Sequence, residues 1–275
     1  MAGIYVKDDG VWKLPKSIWV KDGTWKVCKN IYINNRGYWQ PLIQTVDLTS
    51  SKKNFNLWEH VGSPTEPISL IFNIASYVEI YSSGITSGYR TTAFTVGNFP
   101  TGSTVIINNN GYISGGGGAR GSAGNSAVVN GGAGGNGGYG LVKGSSNNYD
   151  CTLVNNGTIA GGGGGGGGGA SVQLSNGYAS GAYGGQGAGI TGYSKTQGEV
   201  GQASQSGVLI IFGGADQTIY GGAGGNGGSN SENGTAGNPA PTSYGKGGAG
   251  GKGRSAILSS GIEIAVSGNI DGSIG

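Results

Sequence analysis

The sequence is poor in the residues that carry most protein chemistry. Its 275 residues include one histidine, one methionine and two cysteines, and only 11% are charged, against about a quarter in an average domain. Cys28 and Cys151 lie far apart, which favours two free thiols over a disulfide, and the chain has too few ligands for a zinc site. No stretch approaches the roughly 20 apolar residues of a membrane span. The composition therefore predicts no metal site and no membrane insertion.

Catalytic and nucleotide-binding patterns are equally scarce. His60 is the sole histidine, and its neighbour Glu59 would not share its face in a strand, so no acid-base pair forms there. "GAGGNG" from Gly222 matches G-x-G-x-x-G, but such a match arises by chance where glycine is this common. The net charge of +3 is too small for a phosphate-tracking surface. We therefore expect no enzyme activity, no cofactor and no nucleic-acid partner.

Glycine, in contrast, is abundant. The chain has 64 glycines, nine of them consecutive from Gly161 to Gly169. Such tracts are either flexible coil or ordered, left-handed helices of three residues per turn that bond to one another in a polyglycine II bundle. The tracts alternate with apolar strands such as "SGVLIIFGG" and "AILSSGIEIAV", which favours ordered rods and makes the nine-glycine run the candidate central rod.

Composition along the chain predicts an all-β protein in three parts. Residues 1–43 hold three alternating units, "IYVKDDGVWK", "IWVKDGTWK" and "IYINNRGYWQ", each typical of a β-hairpin. Residues 44–114 are rich in β-branched and aromatic residues between turn residues, which predicts a β-sandwich-like module. Residues 115–275 form the glycine-rich part, with the predicted bundle and its anchoring strands.

One local design recurs across the last two parts. "VIINNNGYISGGGG" from Val105, "TLVNNGTIAGGGGG" from Thr152 and, more weakly, "IAVSGNIDGSIG" from Ile264 share an apolar strand, an Asn or Ser turn with glycine, and a single isoleucine between small residues. Such repetition predicts a structural array rather than a linker.

The order of these elements resembles a known family. "NFNLWEHVG", then "TTAFTVGNFPTGSTVIINNNGYISGGGG", then "LVNNGTIAGGGGGGGGG" is similar to the glycine-rich tail proteins of tailed bacteriophages, including polyglycine-rich adhesins at the tips of long tail fibres. The resemblance covers about residues 55–275. It implies a virion protein whose polyglycine II rods present loops to a receptor, protein or glycan, on the bacterial surface. The repeats of residues 1–43 also resemble N-terminal segments of phage structural proteins.

The resemblance and the loop composition together give candidate binding residues. Tyrosines set among Gly, Ser and Asn resemble antibody loops, and shielding of the bundle edge is the alternative role for their rings. The candidate receptor contacts are Tyr149, Tyr178, Tyr183, Tyr193 and Tyr244. The candidate virion attachment residues are Trp12, Trp25 and Trp39.

These observations predict a receptor-binding tail fibre or tail-tip protein that also contacts other virion proteins through its N-terminal part. The small first unit favours a homo-oligomer, and we expect a trimer. The N-terminus, "MAGIYVKDDGVWK", lacks a signal-peptide core, so we expect synthesis in the host cytoplasm and assembly into the virion. A purely structural tail, collar or decoration protein and a silk-like matrix protein are the alternatives.

Overall fold

The computed structural model describes part of the chain in full and part as backbone alone. Described in full are residues 43–82, 92–125, 130–144, 148–171, 180–184, 223–226, 228–229, 232–239, 246–258, 260–266 and 268–275. Described as backbone are residues 6–8, 11–13, 19–22, 24–27, 32–35, 38–41, 172–174, 177–179, 189–191, 194–196, 206–209, 217–220 and 267.

Strands dominate the described residues. The strands are β1 Val6–Asp8, β2 Val11–Lys13, β3 Trp19–Asp22, β4 Thr24–Val27, β5 Tyr32–Asn35, β6 Tyr38–Pro41, β7 Ile43–Leu48, β8 Lys52–Lys53, β9 Phe55–Asn56, β10 Ser69–Ile74, β11 Glu79–Tyr81, β12 Phe94–Thr95, β13 Thr104–Asn109, β14 Tyr112–Ser114, β15 Leu141–Val142, β16 Asp150–Ala160, β17 Val172–Leu174, β18 Gly177–Ala179, β19 Gly189–Thr191, β20 Ser194–Thr196, β21 Ser206–Leu209, β22 Gln217–Tyr220, β23 Ile257–Leu258 and β24 Glu263–Asp271. The one helix among these residues, α1, is Leu57–His60. The predicted all-β class is confirmed, and no described helix is long and apolar enough to cross a membrane.

The first six strands pair locally. β1 pairs with β2, β3 with β4 and β5 with β6, all antiparallel, and each pair forms its own two-stranded sheet. The next strands along the chain, beginning with β7, pair in parallel with strands that are distant in sequence.

Strands β7 to β16, with β23 and β24, stack in parallel on three faces, whereas β17–β18, β19–β20 and β21–β22 form three separate antiparallel pairs. The first face is β7, β10, β13, the start of β16 and the start of β24. The second face is β8, β11, β14 and the ends of β16 and β24. The third face is β9, β12, β15 and β23. The chain visits the three faces in turn, so it winds as a parallel β-helix of five rungs.

This winding corrects the predicted β-sandwich of residues 44–114. Sandwich sheets are built from antiparallel strands, whereas these strands pair in parallel with the next rung. Rungs four and five also take strands from residues 150–160 and 263–271. The sheet that begins in residues 44–114 therefore continues across the expected boundary at residue 115. The repeats from Val105 and Thr152 lie in register as neighbouring rungs, with Asn109 opposite Asn155.

The core consists of side chains stacked from rung to rung. Alternate residues of β10 and β13 point inward, and the in-register pairing places like residues above one another. On the first face Phe72, Ile107 and Leu153 form one stack, all fully buried. Phe55 and Phe94 stack on the third face, with ring centroids 5.3 Å apart. Burial of these apolar columns, at about 25 cal/mol per Å², is the main stabilisation of the β-helix.

One polar ladder lies inside this core. Asn109 and Asn155 are both fully buried, and Asn109 Nδ2 donates to Asn155 Oδ1 at 2.7 Å. Asn109 Oδ1 accepts from the Gly111 amide at 3.1 Å, while Asn155 Nδ2 donates to the Asn269 carbonyl at 3.5 Å. The ladder therefore fixes the corner at which each rung passes from the first face to the second.

We predict that Asn155→Ala lowers the free energy of unfolding by about 1–3 kcal/mol, because it leaves the buried Asn109 amide without its acceptor. Asn108→Ala is the matched control. Asn108 Nδ2 donates to Asn73 Oδ1 at 2.8 Å on the partly exposed outer side, where water can replace the lost bond. Urea unfolding of both variants measures the difference, and equal losses would contradict the role of the inner ladder.

In rungs three and four, the chain leaves the β-helix between the second and third faces and forms the glycine tracts before it returns. The nine glycines and the residues after them, 161–171, form a central segment that bonds to six others. The surrounding segments are residues 115–124, residues 131–138, residues 181–184, residues 223–226 with 228, residues 232–238 and residues 246–254. Backbone donors between Gly162 and Ala170 bond at 2.8–3.2 Å. We refer to these seven segments as the tract assembly.

Residues 162–168 of the central segment, all glycines, have no space for side chains. A Cβ on Gly165 would overlap the carbonyl of Ala119, one on Gly166 the carbonyl of Gly225, and one on Gly167 the carbonyl of Gly248. Three successive glycines therefore meet three different neighbouring segments at their backbones. Any larger residue would separate segments that are held together by direct backbone hydrogen bonds.

We predict that Gly165→Ala destabilises the tract assembly by about 1–3 kcal/mol or more, because overpacking forces the surrounding backbone apart. The control is Ala249→Ser, which also adds one heavy atom but at an exposed position of an outer segment. Thermal unfolding followed by circular dichroism compares the two variants. A Gly165→Ala protein as stable as the control would contradict the close approach of the segments.

Candidate binding surface

The tract assembly has two distinct ends. One end joins the β-helix, where Gly115 donates to the Ala160 carbonyl at 2.9 Å and Arg254 to the Gly162 carbonyl at 3.0 Å. At the other end Gly124 donates to the Gly169 carbonyl at 2.9 Å. We call the latter the free end. Residues 161–169 of the central segment separate it from the β-helix.

Several chain connections leave from the free end. Gly131 donates to the Lys246 carbonyl and Ala170 to the Asn238 carbonyl, so these residues share the level of Gly124 and Gly169. Three connections depart here: residues 126–129, residues 172–179 and residues 240–245. The described residues on either side of these three stretches therefore lie at the free end.

The candidate tyrosines relate to this end in different ways. Tyr178 lies in β18, opposite Gln173 of β17, between two segments that meet at the free end. Tyr244 and Tyr193 lie outside the described residues. Tyr244 belongs to one of the three connections, and Tyr193 belongs to the stretch that links residue 184 to residue 223.

Tyr183 is the candidate whose surroundings are described in most detail. Its side chain is 44% exposed, and the Arg120 guanidinium carbon lies 4.9 Å from its ring centroid. Such a cation–π contact is worth about 0.5–1 kcal/mol at an exposed site. Sequence reasoning did not select Arg120, although a single charge inside "GGGGARG" was the signal that could have identified it. The pair presents an aromatic face and a positive charge to solvent.

Tyr149 requires a correction. Its side chain is 3% exposed, its hydroxyl donates to the Gly97 carbonyl at 2.9 Å, and its ring packs edge-on to Phe99 at 5.6 Å. The Lys143 ammonium lies 4.1 Å from the ring centroid and donates to the Tyr149 carbonyl at 3.1 Å. Tyr149 therefore closes the core beside the third face, and a receptor contact for its side chain is excluded by this burial.

The surroundings of Tyr149 also bear on reactivity. Burial raises the pKa of the Tyr149 hydroxyl, and the neighbouring Cys151 thiol adds to the rise. Burial raises the pKa of Cys151 to about 12, with Lys143 acting in the opposite direction. Both groups thus stay neutral near pH 7. Since the thiolate is the reactive form of cysteine, Cys151 is a structural residue.

Other possible chemical groups are dispersed. His60 lies in α1, 5.1 Å from the Phe55 ring and 6.3 Å from the Phe72 ring, as an aromatic neighbour of the core. Among the described residues, no three or more His, Cys, Asp and Glu side chains come together to hold a metal ion.

The tryptophans of the N-terminal part are placed by backbone register. Trp12 lies opposite Lys7, Trp25 opposite Lys21 and Trp39 opposite Asn34. Each therefore occupies the second strand of its pair.

Comparisons with known proteins add a family assignment. No curated protein matches the chain. The crystal structure of the gp37-gp38 adhesin tip complex of the bacteriophage S16 long tail fiber is similar at 20% sequence identity, with a TM-score of 0.44, over 87% of this chain and 88% of that chain. The family model of the phage tail fibre adhesin Gp38 matches residues 44–275. Because this match covers most of the chain, the protein belongs to the phage tail fibre adhesin Gp38 family.

Proposed function

We propose that this protein is the receptor-binding adhesin of a tail fibre and that its free end contacts the surface of the host bacterium. The observation that carries the proposal is the departure of three chain connections from one end of the tract assembly, opposite the β-helix. Family membership supports it, because the family consists of tail fibre adhesins. It also assigns the protein to the virion tail.

We infer that the tract assembly is a polyglycine II bundle. Its hydrogen bonds support this through their period of three, since Gly115, Gly118, Gly121 and Gly124 donate in turn to Ala160, Gly163, Gly166 and Gly169. Three residues per turn is the period of this helix. Six segments around one also match hexagonal packing. The bundle then holds the loops on a rigid support whose central glycines pack backbone against backbone, which lowers the ordering cost of binding.

The receptor contacts come from the segments at and beside the free end. We assign the role to Tyr178, Tyr183, Tyr193 and Tyr244, whose rings would give rigid contact area while Ser, Gly and Asn neighbours supply adaptable hydrogen bonds. The receptor is a protein or glycan on the bacterial surface. Binding in this way needs no catalytic group, and the protein acts without enzyme activity.

Contact with the virion is the role we propose for the N-terminal part. We assign attachment to other tail proteins to the paired strands of residues 1–43, with Trp12, Trp25 and Trp39 as the anchoring side chains. Four tryptophans in so small a unit, these three and Trp19, favour a partner surface, since aromatic side chains are enriched where interfaces bury area. A trimeric assembly stays a prediction.

The second candidate function is a purely structural tail protein with no host contact. The exposed Arg120–Tyr183 pair supports a binding role, because aromatic and arginine side chains are enriched in protein interfaces. The two functions differ in one measurable property, which is binding to intact cells.

We predict that the purified protein binds host cells and blocks adsorption of the phage. Tyr178→Ala and Tyr183→Ala should each weaken cell binding by about tenfold or more, because aromatic contacts dominate such interfaces. The control is Tyr139→Ala, which removes a tyrosine beside Arg254 at the β-helix end of the assembly. Folding of each variant is checked by its melting temperature.

The receptor-binding role is contradicted if the folded wild-type protein neither binds cells nor reduces adsorption. If cells are bound and Tyr139→Ala is as harmful as the other two variants, the free end is not the contact surface.

A further inference from the structure

The β-helix carries a second surface feature, at the corner between its first and second faces. Rung two turns this corner with four residues, 75–78, whereas rung three uses only 110–111. The Val78 amide donates to the Ala75 carbonyl at 3.0 Å, and the Tyr112 amide of the next rung donates to the Val78 carbonyl at 2.9 Å. The longer turn of rung two therefore projects beyond the corner of the rungs that follow.

A groove of about 320 Å³ lies below this projection. Two glycines, Gly111 and Gly157, lie on its lining. A Cβ on Gly111 would overlap the Val78 carbonyl, and one on Gly157 would overlap the Gly111 carbonyl. The backbones of neighbouring rungs are therefore in direct contact at this corner, on the inner side of the groove.

The walls of the groove combine aromatic rings with hydrogen-bonding groups. Tyr77, on the projecting turn, is 69% exposed and is the most exposed large apolar side chain among the described residues. Outward residues of the second face form a row in register, Glu79, Tyr112 and Thr158. Asn110 completes the lining. The Tyr77 ring adds little to the stability of the fold, because most of its apolar surface stays in contact with water.

The charge of the groove is acidic. Glu79 lines it, and no Lys or Arg is among its described lining residues. The pKa of Tyr112 is raised by burial and further by Asp271 and Glu79, so both carboxylates act on this site. Such a field disfavours phosphate or other anionic ligands. The lining is also too polar for a lipid chain or an apolar peptide face.

We propose that this corner groove binds a neutral saccharide of the bacterial surface, as a second contact separate from the free end. The ring of Tyr77 packs against the apolar face of a sugar, while the Glu79 carboxylate, the Asn110 amide and the Thr158 hydroxyl bond to sugar hydroxyl groups. In-register strands repeat every 4.7–4.9 Å, so rungs two to four present about 10 Å of such groups along the helix axis. This inference rests on the proposed host-binding function and names one class of ligand for that function.

The test uses the full-length protein and a neutral polysaccharide purified from the surface of a strain to which the wild-type protein binds. Isothermal titration calorimetry measures polysaccharide binding, and intact cells are tested in parallel. Tyr77→Ala and Glu79→Gln should each raise the dissociation constant for the polysaccharide about tenfold or more. Neither change removes a buried apolar group, and melting temperatures verify that both variants fold.

Tyr183→Ala is the matched control, since it removes another exposed tyrosine far from the groove. It should leave polysaccharide affinity unchanged while weakening binding to cells. If the wild-type protein binds cells but not the polysaccharide, or if Tyr77→Ala and Glu79→Gln bind it normally, the groove proposal is overturned and the adhesin function stands. Preference for a phosphorylated saccharide over the neutral one also overturns it. Absence of binding to any cells overturns both.

Discussion

The structure depends on backbone hydrogen bonds between chain segments that carry no side chains at their contacts. In the tract assembly, Gly165 donates to the Gly135 carbonyl at 2.8 Å and accepts from the Gly251 amide at 2.7 Å. Its missing Cβ lets a third segment approach at Ala119. Ordering a glycine costs more backbone entropy than ordering any other residue. The assembly can offset that cost because the tracts are bonded to one another along their length and several of them join the β-helix directly.

The β-helix provides the fixed end. Its parallel ladders set the level at which each tract starts, since β14 and β16 lead directly into residues 115 and 161. Stacked apolar residues such as Phe72 and Ile107 stabilise the ladders, and the Asn109–Asn155 ladder holds the corner. A core of ordinary hydrophobic packing therefore supports an assembly that has almost none. This division lets the segments at the free end vary without disturbing the folded base.

Part of this architecture could be predicted from sequence. The recurring unit at Val105 and Thr152 was visible because stacked rungs place the same residue type at the same position. The sandwich prediction was wrong because alternation of apolar and polar residues is the same for parallel and antiparallel strands. The partners of Val105 are Leu70 and Cys151, too distant in sequence for a local pattern to reveal.

Prediction of the candidate site from sequence is limited in the same way, because local patterns do not reveal tertiary packing. Composition identified Tyr183, which is exposed, but it also selected Tyr149, whose loop closes onto Gly97 and Phe99. Both tyrosines have small polar neighbours in sequence, and only tertiary packing separates them. The groove at Gly111 and Gly157 depends on a two-residue difference in turn length between rungs, which no residue type signals.

Amide hydrogen exchange of residues 161–169 tests most directly whether the glycine run is ordered at the centre of the molecule. The backbone bonds of Gly164, Gly165, Gly167 and Gly168 predict exchange as slow as that of the β-helix strand amides at Phe72 and Ile107. Exchange of these glycine amides at random-coil rates, with the β-helix amides still protected, would contradict a packed central segment and with it the rigid support for the free end.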